Sequence, residues 1–245
     1  MKAMIFAAGL GTRLRPITDT MPKALVPVCG KPLLYHTICK LRDAGYDDIV
    51  VNVHHFPEQI REYLQTHDFG VKISISDESE QLLETGGGIL KAKDLLISDE
   101  PFLVHNVDIV SNLDLARLQA ATRPEDLATL VVSQRDTRRY LLFDDDMRLV
   151  GWTDTATGEV RSPYPGLDPS ACHKYAFSGI HNISPSVFSA MDSLGFTGRF
   201  PIMDFYLKAC ADFSILGYLA QDLKMVDVGK IETLSDAEKV CATLL

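Results

Sequence analysis

The chain opens on an apolar run over residues 2–8 without polar alternation, which predicts a strand buried on both faces at the centre of a parallel sheet. A long polar loop follows to Gly30. Apolar residues then recur at helical spacing over 32–44 (Leu33, Leu34, Ile38, Leu41), and Gly45 stands where a C-capping glycine ends a helix. A second strand is predicted over 48–53, a second helix over 57–65 and an alternating third strand over 71–76. Residues 84–96 include three successive glycines near their start and continue at helical spacing. Residues 101–107 predict a fourth strand, closed by Asp108.

This alternation predicts an α/β fold: a Rossmann-like, doubly wound, mostly parallel sheet flanked by helices. A helix over 113–121 and a strand over 128–133 extend it. Beyond Arg135 the pattern shortens. Residues 140–143 and 149–152 flank three successive aspartates, as the arms of a hairpin would. Residues 153–170, rich in Gly, Pro, Ser and Thr, predict a loop or small flap. A strand over 175–183, helices from 185 and over 202–211, strands over 215–219 and 224–228, and a helix over 232–244 follow. With no repeat and no linker, residues 1–245 are expected to form one domain with a small inserted antiparallel β region.

Composition narrows the function. The 245 residues are 46% apolar and 23% charged, enough for a full core. A formal net charge of −9 excludes a broad basic face for nucleic acid or an anionic membrane. No segment approaches the ~18 uninterrupted apolar residues of a membrane helix. The first apolar run is short and leads at once into Arg13 and Arg15, so it reads as a strand rather than a signal peptide. Cys29, Cys39, Cys172, Cys210 and Cys241 form no C-x-x-C pair. They are expected to be reduced thiols in a cytoplasmic protein.

Against that acidic background the head of the chain is basic: Lys2, Arg13, Arg15, Lys23 and Lys31 face only Asp19. Gly9 and Gly11 free backbone N–H groups to converge on a phosphate. The dinucleotide fingerprint fails, because Leu14 replaces its third glycine and no acid follows the second strand. The P-loop fails because Pro32 follows Gly30 and Lys31. What remains is a loop stiffened by Pro16 and Pro22, with Arg13 and Lys23 as fixed cations over a polyphosphate.

Residues 9–16 (GLGTRLRP) and 22–28 (PKALVPV) closely resemble the G-x-G-T-R-L-x-P…P-K-x-L-x-P-V signature of the sugar-1-phosphate nucleotidyltransferases. Residues 84–88 (ETGGG), 106–108 (NVD), 177–181 (FSGIH) and 226–229 (VDVG) are similar to further stretches of that family, in the same order. The resemblance implies in-line attack of a sugar 1-phosphate on the α-phosphorus of a nucleoside triphosphate, releasing pyrophosphate without a protein nucleophile. It assigns the nucleotide to residues 1–135 and the sugar to 136–245. Ala8, Gly9, Gly11, Thr12 and Asn106 would line the nucleotide, while Arg13 and Lys23 grip its phosphates and neutralise charge during attack. Asp108 and Asp227 would hold Mg²⁺, which needs only one or two carboxylates beside phosphate oxygens and water. Glu84, Thr85, Gly86 and Asn182 would face the sugar. The implied partners are the two substrates alone, and oligomeric state is left open.

The chain departs from the family pattern at Val107, where Gly or Ala is usual, and at Met225 and Lys230, which replace Trp and Thr. The family's E-K-P lysine, which meets the sugar phosphate, has no counterpart; Arg161 and Lys174 are the nearest substitutes. The ETGGG loop and short chain most resemble the N-acetylmuramate 1-phosphate uridylyltransferase branch, so UTP with that acidic sugar phosphate is the expected pair. GTP-dependent mannose or heptose transferases are neighbouring readings, and a catalytically silent sugar-nucleotide-binding protein is a third. Base choice is expected to rest along 77–83 and near Ala8. His54 and His55 read as packing or surface residues, and Trp152 as core.

Overall fold

A computed structural model describes residues 1–244, with the side chains of residues 1–240. The first half of the chain forms β1 (Lys2–Phe6), the short pair β2 (Pro27–Val28) and β3 (Lys31–Pro32), α1 (Leu33–Asp43), β4 (Asp48–Val53), α2 (Pro57–Thr66) and β5 (Lys72–Asp77). Next come α3 (Glu84–Lys91), α4 (Lys93–Leu96), β6 (Phe102–Asn106), β7 (Ile109–Ser111), α5 (Leu115–Ala121) and β8 (Ala128–Ser133). The remainder forms β9 (Arg139–Phe143), β10 (Leu149–Asp154), β11 (Glu159–Arg161), β12 (His173–Ile183), α6 (Val187–Ser193), α7 (Ile202–Ala209), β13 (Ile215–Leu219), β14 (Met225–Asp227) and α8 (Ile231–Leu244).

The predicted parallel core is present: β6, β1, β4 and β5 lie side by side, all parallel. Burial follows the pleat, which sends successive side chains to opposite faces. Ala3 and Ile5 of β1 enter one core, Met4 the other; Ile49, Val51 and Val53 oppose Val50 on β4. Helices α1, α2, α5 and α8 cover the first face, and α3, α4, α6 and α7 the second. The full sheet has ten strands in the order β11-β10-β9-β12-β6-β1-β4-β5, with β8 also on β12 and β13 on β8.

Three features were not legible in the pattern. The helix expected over 84–96 breaks at Ala92 into α3 and α4. The loop at 153–170 contains β11. Residues 109–111 form β7, antiparallel to β14, a pairing too short to leave a periodicity. The cut at 135 is not a structural boundary either. Strand β12 runs antiparallel between β6 and β8, so a late strand sits inside the early sheet. Strand β8 therefore points the same way as β1, β4 and β6, and all four end on one edge, where open α/β sheets bind ligands. The thiols of Cys29, Cys39, Cys172 and Cys210 are free; Cys241 lies outside the described side chains.

Candidate active site

At that edge a cleft of about 490 Å³ is lined by Ala8, Gly9, Gly11, Thr12, Arg13, Lys23, Glu84, Thr85, Asn106 and Asp108. Three one-turn helices, Thr12–Leu14, Ile17–Asp19 and Lys23–Leu25, shape the basic loop, and Leu14 and Ala24 anchor it in the core. Gly11 has φ 63°, and a Cβ there would lie 2.8 Å from Thr18 Cγ2, so only glycine fits. The Thr18 hydroxyl donates to the Gly11 carbonyl at 2.8 Å, holding the turn.

Beneath the loop lies a buried network that carries no family motif. Asn52 Oδ1 accepts from the backbone N–H of Ala7 (2.7 Å) and Ala8 (3.2 Å). Its Nδ2 donates to Glu78 Oε1 at 2.7 Å, and Glu78 Oε2 accepts from the Leu83 N–H at 2.9 Å. One asparagine and one fully buried carboxylate thus bind the glycine loop to the chain that leads into α3. Glu78 lies within the stretch expected to govern base choice. Two further side chains hold neighbouring backbone: His54 Nδ1 meets the Glu78 carbonyl at 2.7 Å and His55 Nε2 the Thr18 carbonyl at 3.4 Å.

The charged groups converge beside the cleft. Lys23, almost wholly buried, donates to Asp108 Oδ2. Lys40 pins the chain just beyond, donating to the carbonyls of Ser111 (3.0 Å) and Leu113 (2.9 Å); burial lowers its pKa. The β7–β14 pairing sets Asp227 opposite Ile109, and the Val228 N–H donates to the Asp108 carbonyl at 2.8 Å. Two aspartates more than a hundred residues apart are thereby neighbours. Asp227 Oδ1 is buried without a hydrogen-bond partner. Burial raises its pKa first and the Asp108 charge raises it further, against the opposing pull of Lys23, Arg13 and Arg135. Gly229 sits between the Arg13 guanidinium and the Asp227 carboxylate, where a Cβ would lie within 2.6 Å of one and 2.7 Å of the other. An orphaned buried carboxylate oxygen beside a second carboxylate is a fitting seat for a hard cation.

Other expected residues are placed differently. Asn182 is not at this edge. Because β12 runs antiparallel to β6, residues beyond Ile180 move away from Asn106, and Asn182 pairs with Leu103. Its Nδ2 donates to Thr122 Oγ1 at 2.9 Å in a separate cleft shared with Gln119 and Pro185. Gly86 is used for packing: its N–H donates to the Phe200 carbonyl at 2.9 Å and a Cβ would collide with the Phe200 ring. Thr85 lines the cleft, but its Oγ1 accepts from the Ile202 N–H at 2.9 Å. Glu84, at φ 62°, gives Oε1 to two donors of Arg199, at 2.9 and 2.7 Å. Neither substitute for the missing lysine reaches the site. Arg161 pairs with Asp204 at 2.6 Å over the Trp152 ring, on the outermost strand, and Lys174 lies where β12 pairs with β9. Trp152 itself packs against the second core. Val107 explains its departure: its side chain is in the first core.

The nucleotidyl transferase family model matches residues 2–147. The chain belongs to that family. It is 33% identical over 236 residues to an N-acetylmuramate alpha-1-phosphate uridylyltransferase of Caulobacter vibrioides, covering 91% of this chain and 90% of that protein. It is 44% identical over 131 residues to a protein of the same name from Neisseria meningitidis, covering 52% of this chain and 56% of the relative. Among solved structures, the inositol-1-phosphate CTP transferase from T. maritima superposes with a TM-score of 0.79 at 17% identity, covering 99% of this chain and 95% of that one, and so shares the fold. Within this nucleotidyl transferase, the matched region ends before β10, so Asp227 and the whole of β12 lie outside it.

Proposed function

We propose that this nucleotidyl transferase moves a nucleotidyl group from a nucleoside triphosphate to a sugar 1-phosphate, releasing pyrophosphate. UTP and N-acetylmuramate 1-phosphate are the preferred pair. The observation that carries the reading is that Arg13, Lys23 and Asp108 line one cleft with a glycine loop, with Asp227 brought beside it by the β7–β14 pairing and by Gly229. The choice of pair is supported by the near-full-length similarity to the Caulobacter protein.

In this reading the loop from Ala8 to Thr12 cradles the triphosphate, and Arg13 binds its oxygens. Lys23 neutralises charge that grows at the α-phosphate as the sugar phosphate oxygen attacks in line and pyrophosphate departs. Asp108 and Asp227 would hold Mg²⁺, which supplies charge neutralisation across the phosphate oxygens. No helix among the described residues is long and apolar enough to cross a membrane, and a cytoplasmic setting is part of the proposal.

The test is pyrophosphate release with Mg²⁺ over a grid: UTP, GTP, CTP, dTTP and ATP against N-acetylmuramate, glucose, mannose, N-acetylglucosamine and heptose 1-phosphates. Strongest release with UTP and N-acetylmuramate 1-phosphate is expected. Strongest release with GTP and mannose or heptose 1-phosphate would move the protein to the guanylyl-transferring branch. A blank grid with nucleotide binding intact would make it a silent binder.

A further inference from the structure

We propose that Arg135 receives the phosphate of the sugar 1-phosphate, in place of the lysine that the chain lacks. The inference rests on the function proposed above and names the residue on which its second substrate lands.

The position follows from topology. Arg135 lies two residues beyond the end of β8, a strand that points the same way as β6. It therefore emerges on the edge where Asn106 and Asp108 end β6. Its Nη2 donates to the Phe177 carbonyl at 2.9 Å, so the guanidinium lies against β12 just ahead of Ser178 and Gly179. Gly179 in turn sits against Asn106: φ is 72°, and a Cβ would lie 2.8 Å from Asn106 Nδ2. Arg135 thus borders the site from the side opposite the glycine loop.

Its chemistry is unspent. A guanidinium has five N–H donors, and this one uses a single donor on a carbonyl. Among the described residues it forms no ion pair, whereas Arg161, Arg199 and Lys23 each do. It is exposed and lines a second open cleft of about 560 Å³, distinct from the glycine-loop cleft, that runs to Met225, the first residue of the strand carrying Asp227. Arg13 belongs to the loop that cradles the triphosphate. Arg135, held against β12, is left for the second phosphate, and a planar fork suits a phosphate bidentately. The sequence motif could not reveal it, because the two substitutes it offered, Arg161 and Lys174, lie on β11 and β12.

The experiment compares wild type, Arg135→Ala and Arg135→Lys by steady-state pyrophosphate release and by calorimetric titration with UTP alone. With Arg135→Ala, the KM for the sugar 1-phosphate should rise about ten- to hundredfold, the range of a lost hydrogen-bonded charge contact. The dissociation constant for UTP should stay within about twofold, a change too small for a lost charge contact. Arg135→Lys should recover part of the loss, since it restores charge without the fork. An unchanged KM for the sugar 1-phosphate overturns the proposal, as does a UTP affinity that falls in parallel. If the wild type releases pyrophosphate with no sugar 1-phosphate, the functional reading fails first and this inference with it. Arg135 is exposed, so an unchanged melting temperature serves as the folding control.

Discussion

The two sides of the sheet edge that carries the site are built in opposite ways. On the glycine-loop side, functional groups are backbone or are fixed by backbone: Gly11 admits no side chain, Asn52 clamps Ala7 and Ala8, and Lys23 is nearly buried on Asp108. On the β8–β12 side, the corresponding charge is the tip of one long, exposed side chain resting on one carbonyl. A phosphate cradle made of N–H groups must be rigid before the ligand arrives, which constrains many consecutive residues. A phosphate met by an arginine constrains only that residue and a strand to lean on.

The largest effect should come from the rigid side. Lys23→Ala is expected to lower turnover about 10²–10³-fold, the usual loss when one donor to transition-state charge is removed. The far-UV circular dichroism spectrum should be kept. Turnover within threefold of wild type would erase the distinction between the two sides as far as catalysis is concerned.

Next in size is the clamp. Asn52→Leu removes the acceptor of two buried N–H groups and one donor to the buried Glu78 carboxylate. Unsatisfied buried groups cost about 1–3 kcal/mol each, so a loss of about 3–5 kcal/mol in urea unfolding is expected. Survivors should show a raised KM for the nucleotide. A stable variant with normal nucleotide KM would mean that the loop holds its shape without the clamp.

This contrast also explains what could be read from the chain. The βαβ alternation and the glycine-loop motif were legible because periodicity and rigid loops both occupy runs of residues. The buried clamp was not, since Asn52 and Glu78 sit inside ordinary strand and loop text and meet only in space. Asp227 was legible by motif, but the reason it meets Asp108 was not: the three-residue β7–β14 pairing carries no pattern. Asn182 was misplaced because the F-x-G-I stretch was continued past the point where an antiparallel strand leaves the site. Arg135 was passed over because the missing lysine was sought on strands beyond it.

The seam between the two sides offers a smaller handle. His105 on β6 and His181 on β12 are fully buried on adjacent strands, opposite Ile180 and Val104. Burial pushes their pKa values down to about 4 and about 3. Both lie below the unfolded value of 6.5, so only the unfolded chain takes up the protons. Stability should be complete above pH 6.5 and fall as the pH drops towards 4, by up to about 1.4 kcal/mol per pH unit for each histidine. Urea midpoints at pH 7.5 and 5.5 would measure it, above the range where carboxylates dominate. His181→Asn should remove about half of the slope; an unchanged slope would place the titration elsewhere.

The smallest effect is expected from the second buried asparagine, and it makes the sharpest control. Asn52 and Asn182 are 1% and 3% exposed, both on strands, at opposite edges of the same sheet. Asn52 serves three partners. Asn182 donates once, to Thr122 Oγ1, and that hydroxyl also donates to the Leu118 carbonyl at 3.0 Å. Thr122 therefore stays bonded when Asn182 becomes Leu, and only one ordinary hydrogen bond is lost. Asn182→Leu should cost about 0.5–1.5 kcal/mol of stability. The KM for both substrates should not change, because the side chain lies beyond Ile180, at the edge the cleft does not occupy. A raised KM for the sugar 1-phosphate alone would bring the end of β12 back into the sugar site. It would also show that two asparagines of equal burial can both serve the substrate from opposite edges, and the contrast between a rigid and a sparse side would then fail.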